Sequence, residues 1–186
     1  TPGGAGRVMV LLDGQAKNPQ LRSKAYLSDA IVSAEYLFTT GAEAGIYLNS
    51  AYRIRLDGAA AGALGVMVDA QHKPGEGTTF AAANPAPGQA GVWHRIEARW
   101  RGPRYSEASG KAQNALLLEV KIDGVVVQAN TMPLEWCWGT ETEWETTGGN
   151  TTFAVANGSL AVRNFTLQRA DFEPLTLPAA NGGDTN

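Results

Sequence analysis

The stretch SDAIVSAEYLF, residues 28–38, alternates without a break: Ile31, Ser33, Glu35 and Leu37 on one side, Val32, Ala34, Tyr36 and Phe38 on the other. A period of two marks a strand with one buried face and excludes a helix, whose apolar residues recur every three to four positions. VWHRIEARW, residues 92–100, alternates likewise, with Trp93, Arg95, Glu97 and Arg99 opposite Val92, His94, Ile96, Ala98 and Trp100. In YRIRL, Tyr52, Ile54 and Leu56 face one way and Arg53 and Arg55 the other. GRVMVLL closes on Asp13-Gly14, AGIYL precedes YRIRL, and LGVMVDA runs into a Gly/Pro/Ala-rich stretch from His72 to Gly91 that reads as loop. ALLLEVKIDGVVVQ folds back at Asp123-Gly124, a type I′ hairpin signature, and TTFAVANGSLAVRNFTLQ repeats the pattern at Asn157-Gly158. About ten strands and no helix predict an all-β chain, a two-sheet antiparallel β-sandwich or jelly roll.

One core of this kind suits a single domain. It is assigned to residues 7–173, with flexible ends at 1–6 and 174–186, the latter a tail or linker. The 22 glycines fit a chain of many tight turns. A net charge of −3 with scattered basic residues argues against nucleic acid and against an anionic membrane surface. No apolar run reaches the ~18–20 residues of a membrane span. Cys137 is the single cysteine, which excludes an internal disulfide and leaves no zinc-ligand spacing. No phosphate loop, catalytic Ser/His/Asp spacing or metal cluster stands out, so no cofactor and no metal are expected. The opening TPGGAG, without an initiator methionine or a signal core, suits a processed secreted protein or an excised domain.

Glycoside hydrolysis ordinarily takes two carboxylates, ~5–5.5 Å apart for retention or ~6.5–9.5 Å for inversion. Glu35 and Glu97, both mid-strand, are the candidates, with His94 as a candidate base; the plainer reading makes the glutamates solvated and His94 a core or rim residue. Asn49, Arg53 and Arg55 form a polar set suited to holding a neutral or anionic sugar through fixed donors. The alternative for the arginines is cross-strand pairing with Glu35 or Glu97. MPLEWCWGTETEWETTGGN places Trp136, Trp138 and Trp144 among glutamates between two strands. An indole presents a flat apolar face on which a sugar ring stacks, so the three form a candidate platform; core capping and a partner interface are the competing readings. The glutamates there lack the grammar of a calcium loop. Asn-x-Ser/Thr triplets at Asn150, Asn157 and Asn164 are given no weight.

Five motifs taken in order resemble the 3-keto-disaccharide hydrolase family, formerly a domain of unknown function. Residues 28–38, AGIYLNSAYRIRL (44–56), GVWHRIEARWRGPRY (91–105), LLEVKIDGVVVQAN (117–130) and FAVANGSLAVRNFTLQ (153–168) stand where that family has its strand elements, including its Gly-Pro-Arg-aromatic corner. The resemblance implies a concanavalin A-like or LamG-like jelly roll in a secreted bacterial protein, extracellular or periplasmic, that acts on carbohydrate. The departures are at polar positions: Asn49 replaces an arginine, Arg53 and Arg55 replace glutamate and glutamine, and Ala156-Asn157-Gly158 replaces Asp-His-Gly. They point to a carbohydrate-binding or accessory module, with Asn157 among its contacts. An active hydrolase of glycosides or 3-keto-glycosides is the alternative. A third is an assembly subunit whose Trp-rich loop meets other domains or subunits.

Overall fold

The computed structural model describes residues 9–17, 19–49, 52–58, 61–66, 79–82, 84, 88–106, 110–132 and 148–173. Among them there are fourteen strands and no α-helix. In chain order these are β1 (Met9–Asp13), β2 (Gln20–Arg22), β3 (Ala30–Phe38), β4 (Glu43–Leu48), β5 (Tyr52–Arg55), β6 (Leu64–Val66) and β7 (Thr79–Phe80). Then come β8 (His94–Arg101), β9 (Arg104–Ser106), β10 (Gly110–Gln113), β11 (Leu116–Ile122), β12 (Val125–Thr131), β13 (Thr152–Asn157) and β14 (Ser159–Arg169). One six-stranded sheet, sheet A, has the order β1-β14-β3-β8-β11-β12; the other, sheet B, has β2-β13-β4-β5-β6-β7; β9 and β10 form a separate ribbon. Every strand pairing is antiparallel. The chain is a two-sheet β-sandwich, as its alternation predicts.

The core lies between the sheets. From β3 it takes Ala30, Val32, Ala34, Tyr36 and Phe38, from β8 Ile96, Ala98 and Trp100, and from sheet B Ile46, Tyr52, Ile54 and Phe153. Aromatic pairs bridge the layers: Tyr52 on Trp100 at 4.6 Å between ring centroids, and Phe153 edge-on to Phe165 at 5.2 Å. Burying one such side chain stabilises the fold by about 1.5–3 kcal/mol. The β11–β12 hairpin turns at Asp123 (φ 51°) and Gly124 (φ 81°), the two left-handed residues that a type I′ turn requires.

Asn157-Gly158 is a turn, but it makes no hairpin. β13 lies in sheet B and β14 in sheet A, so the turn carries the chain from one layer to the other. The β1–β2 and β3–β4 connections make the same passage, and all three meet at one corner. Thr39 N donates to Ser159 O (3.1 Å), Ser159 N to Thr39 Oγ1 (2.9 Å), Gly14 N to Gly158 O (2.7 Å) and Asn157 Nδ2 to Gly41 O (3.3 Å). Gly158, at φ 68°, lies so close to Thr39 and Ala42 that a Cβ would come within 2.8–2.9 Å of them. The corner is closed by contacts between distant segments, which local turn chemistry does not report. The expected loop from His72 to Gly91 also contains a strand: β7 pairs with β6 through Leu64–Phe80 and Gly65–Thr79.

The Gly-Pro-Arg-aromatic corner serves the frame. Arg104 lays its fork on Asp29, with Nη1 to Oδ1 and Nη2 to Oδ2 both at 2.7 Å, and Gly102 N and Phe172 N also donate to that carboxylate. Arg104 Nη2 reaches Phe172 O at 2.9 Å, so the segment after β14 is tied to the start of β3. Burial alone would raise the Asp29 pKa, but the Arg104 guanidinium and the two N–H donors outweigh it and hold it below 3.8.

Candidate functional site

Alternation sets two polar surfaces outward, one on each sheet. On sheet A the outer side chains fall in rows fixed by register. Arg163, Glu35 and Arg95 form one row, Thr166, Ser33, Glu97 and Lys121 the next, and Gln168, Ile31, Arg99 and Glu119 the third. All of these but Arg163 line a depression of about 560 Å3 that brings Glu35 and Glu97 together. The two glutamates are diagonal neighbours, a relation that sets their Cα atoms about 7–8 Å apart.

Each carboxylate in this depression meets a cation. Arg95 and Glu97 pair at 2.5 Å, Lys121 and Glu119 at 2.8 Å, and Arg163 Nε and Glu35 Oε2 at 2.6 Å. Asn164 Nδ2 holds the other oxygen of Glu35 at 2.7 Å. That contact depends on a β-bulge: the β14–β3 register shifts between Arg163 and Thr166, and Asn164 takes φ 52°. Arg163 and Asn164 thereby both reach Glu35. The Arg163 guanidinium also lies 3.9 Å from the Trp93 ring centroid. A general acid must retain its proton at working pH, which an apolar pocket favours and an adjacent cation opposes.

Arg53 and Arg55 lie on sheet B. Their partner is Asp57, just past β5, and not Glu35 or Glu97, which stand on the other sheet. Asp57 is 2% exposed; its Oδ2 accepts from Ala44 N at 2.5 Å and lies 3.6 Å from Arg53 Nη2, while Oδ1 takes Arg55 Nη2. Arg53 also lies across Gly45: a Cβ there would come within 2.7 Å of Arg53 Nε and 2.8 Å of its Cγ. The glycine lets the arginine lie flat on the sheet and reach Asp57. Arg53 Nε and Arg55 Nε are buried, without a hydrogen-bond partner among the described residues, and closed to a ligand on the surface.

The other candidates are dispersed. His94 points into the sandwich, is 6% exposed and packs against Tyr36 and Phe38. Its Nδ1 meets Asp123 Oδ2 at 2.7 Å, and its Nε2 lies 3.0 Å from Gln89 O and 3.2 Å from Gln89 N. Both ring nitrogens are engaged, on the side of sheet A away from Glu35 and Glu97. Asn49, at φ 51°, is buried at the end of β4 against Gly149. Asn157 is at the three-way corner. Trp136, Trp138 and Trp144 lie outside the described residues, as does His72. Among the described residues no three His, Cys, Asp or Glu side chains are grouped to hold a metal, and no helix is long and apolar enough to cross a membrane.

Sequence reasoning missed Asp57, Asn164 and Asp123 as partners. Asp57 and Asp123 sit just beyond strand ends, where a carboxylate reads as turn chemistry. Asn164 does leave a signal: in VRNFTLQ the alternation breaks at two successive polar residues, as a bulge would make it.

No family model matches the chain, and no curated protein matches it. Among solved structures it is similar to a proposed glycosyl hydrolase of Parabacteroides distasonis, at 17% identity and a TM-score of 0.56, over 89% of this chain and 72% of that one. A second proposed glycosyl hydrolase of the same bacterium matches at 10% identity and a TM-score of 0.56, over 88% of this chain and 81% of the other. At these identities the likeness is one of fold.

Proposed function

We propose that this chain is a carbohydrate-binding domain acting outside the cytoplasm, with the outer face of sheet B as its ligand surface. The observation that carries this reading is the set of fixed donors there. Arg53 and Arg55 are anchored by a buried carboxylate, Arg53 over a glycine floor, and the two guanidiniums share that one counterion. Donors held before a ligand arrives spare it the cost of ordering them. The ordered motifs resembling the 3-keto-disaccharide hydrolases support a carbohydrate ligand, and so does the sandwich shared with two proposed glycosyl hydrolases. A glycan array probed with the wild type and with Arg53→Ala and Trp138→Ala tests it. Binding lost in Arg53→Ala supports sheet B, and loss in Trp138→Ala adds the Trp-rich segment to the surface. Absence of binding to any glycan removes the proposal in favour of an assembly role.

A hydrolase reading retains one observation, the diagonal pairing of Glu35 and Glu97 in the sheet A depression. Release of reducing sugar from glycosides or 3-keto-glycosides, abolished by Glu97→Gln, would establish it. The cations on both carboxylates weigh against it.

A further inference from the structure

The outer face of sheet B has a direction and a charge. Register places Arg22, Thr152, Tyr47 and Arg53 in one row across four strands, and Gln20, Ala154, Gly45 and Arg55 in the next. Three strand spacings separate Arg22 from Arg53, about 14 Å. Thr152 and Tyr47 stand between them, Ala154 and Gly45 keep the floor low in the neighbouring row, and a depression of about 350 Å3 lined by Gln20, Tyr47 and Ala154 adjoins that row. Among the described residues, two carboxylates belong to this region. Asp57 is buried, already accepts from Ala44 and Arg55 and is ion-paired with Arg53, and exposed Glu43 stands at the end paired with Asn157, away from Arg22. Arg22 makes no ion pair among the described residues.

We infer that this face binds a carboxylate-bearing oligosaccharide laid across the strands from Arg22 to Arg53 and Arg55. The inference rests on the carbohydrate reading above and adds the charge class and the seat. A carboxylate is a planar acceptor that the guanidinium fork matches with two parallel hydrogen bonds. Acidic groups on separate sugar units meet the arginines at the two ends. The Tyr47 ring, between them and half-buried, supplies an apolar face on which a pyranose can stack. A neutral sugar would leave the guanidiniums with nothing to neutralise, and a flexible polyanion would forgo the ring contact.

The test is calorimetric titration of the full chain with oligogalacturonate, with its carboxyl-reduced neutral counterpart and with polyglutamate. Oligogalacturonate is expected to bind at least about ten-fold more tightly than either, since a hydrogen bond to a charged group contributes roughly 1.5–3 kcal/mol. Arg22→Ala and Arg55→Ala should each weaken it about ten-fold, and Glu119→Gln on the opposite sheet should leave it unchanged. Arg22→Ala keeps the test sound if Arg55→Ala disturbs folding, because Arg22 supports no buried carboxylate. Equal binding of the neutral oligosaccharide overturns the charge class and leaves the carbohydrate reading standing. Equal binding of polyglutamate overturns the saccharide seat. Binding of neither sugar here, together with an empty glycan array, overturns both.

Discussion

Arginines stand on the outer faces of both sheets, but they are used differently. On sheet A each carboxylate has a cation of its own, Glu35 with Arg163, Glu97 with Arg95 and Glu119 with Lys121, while Arg99 lies over the Phe172 ring. Such pairs stabilise a solvated sheet face by about 0.2–1 kcal/mol each and leave little capacity for a ligand. On sheet B two arginines share one buried aspartate, so one positive charge remains without a carboxylate of its own. A face whose carboxylates each take a cation of their own serves the fold, whereas two arginines held in place by one shared carboxylate can serve a partner.

The sharpest way to break this contrast is to remove the buried anchor. Asp57→Ala should lower stability by about 3 kcal/mol, because it strands an amide and two guanidiniums. Urea unfolding measures this, and a loss no larger than that of Glu97→Ala would erase the difference between the faces. Asp29→Asn is the control beside sheet A, a carboxylate also buried but bound by one arginine, Arg104; it should cost about 2 kcal/mol. Its linkage to pH has a definite sign. The folded pKa lies below 3.8, so the stabilisation is complete above the ordinary aspartate range and is lost as the pH falls through the folded value. Acid unfolding followed by fluorescence should show that limb flattened in Asp29→Asn.

Gly45→Val should cost about 1 kcal/mol of stability, since Arg53 can swing aside, yet abolish the binding that needs Arg53 flat. Retained affinity would show that Arg53 acts without its floor. Glu35→Gln should cost about 0.5–1 kcal/mol, less in high salt. Arg95→Ala should change the melting behaviour least, by no more than about 0.5 kcal/mol.

Much of the frame was legible because period two is a direct imprint of burial: β3 and β8 alternate as written, and Asp123-Gly124 closes the hairpin it announces. What escaped depended on the third dimension. Asn157-Gly158 looks like Asp123-Gly124 in sequence, and only the contacts of Thr39, Ala42 and Gly14 turn it into a crossing between layers. The same is true of the polar set. Arg53 and Arg55 were visible as an outward pair, but their sheet, and therefore their separation from Glu35 and Glu97, follows from strand order. Arg104 drew notice as part of a motif, and its partner Asp29 lies 75 residues away.

The corner at Gly158 has a consequence for how the chain reaches this state. Thr39 and Ser159 are 120 positions apart, and Asn157 and Gly41 are 116 apart. Contacts of such span form only after the loop-closure entropy of most of the chain has been met, which slows folding relative to domains built from local contacts. The seal between the layers therefore closes late, and until then the edges of both sheets stand open to neighbouring chains. Substitutions at Gly158 should register as poor refolding yield at high concentration before they register as a change in the surface that meets a ligand.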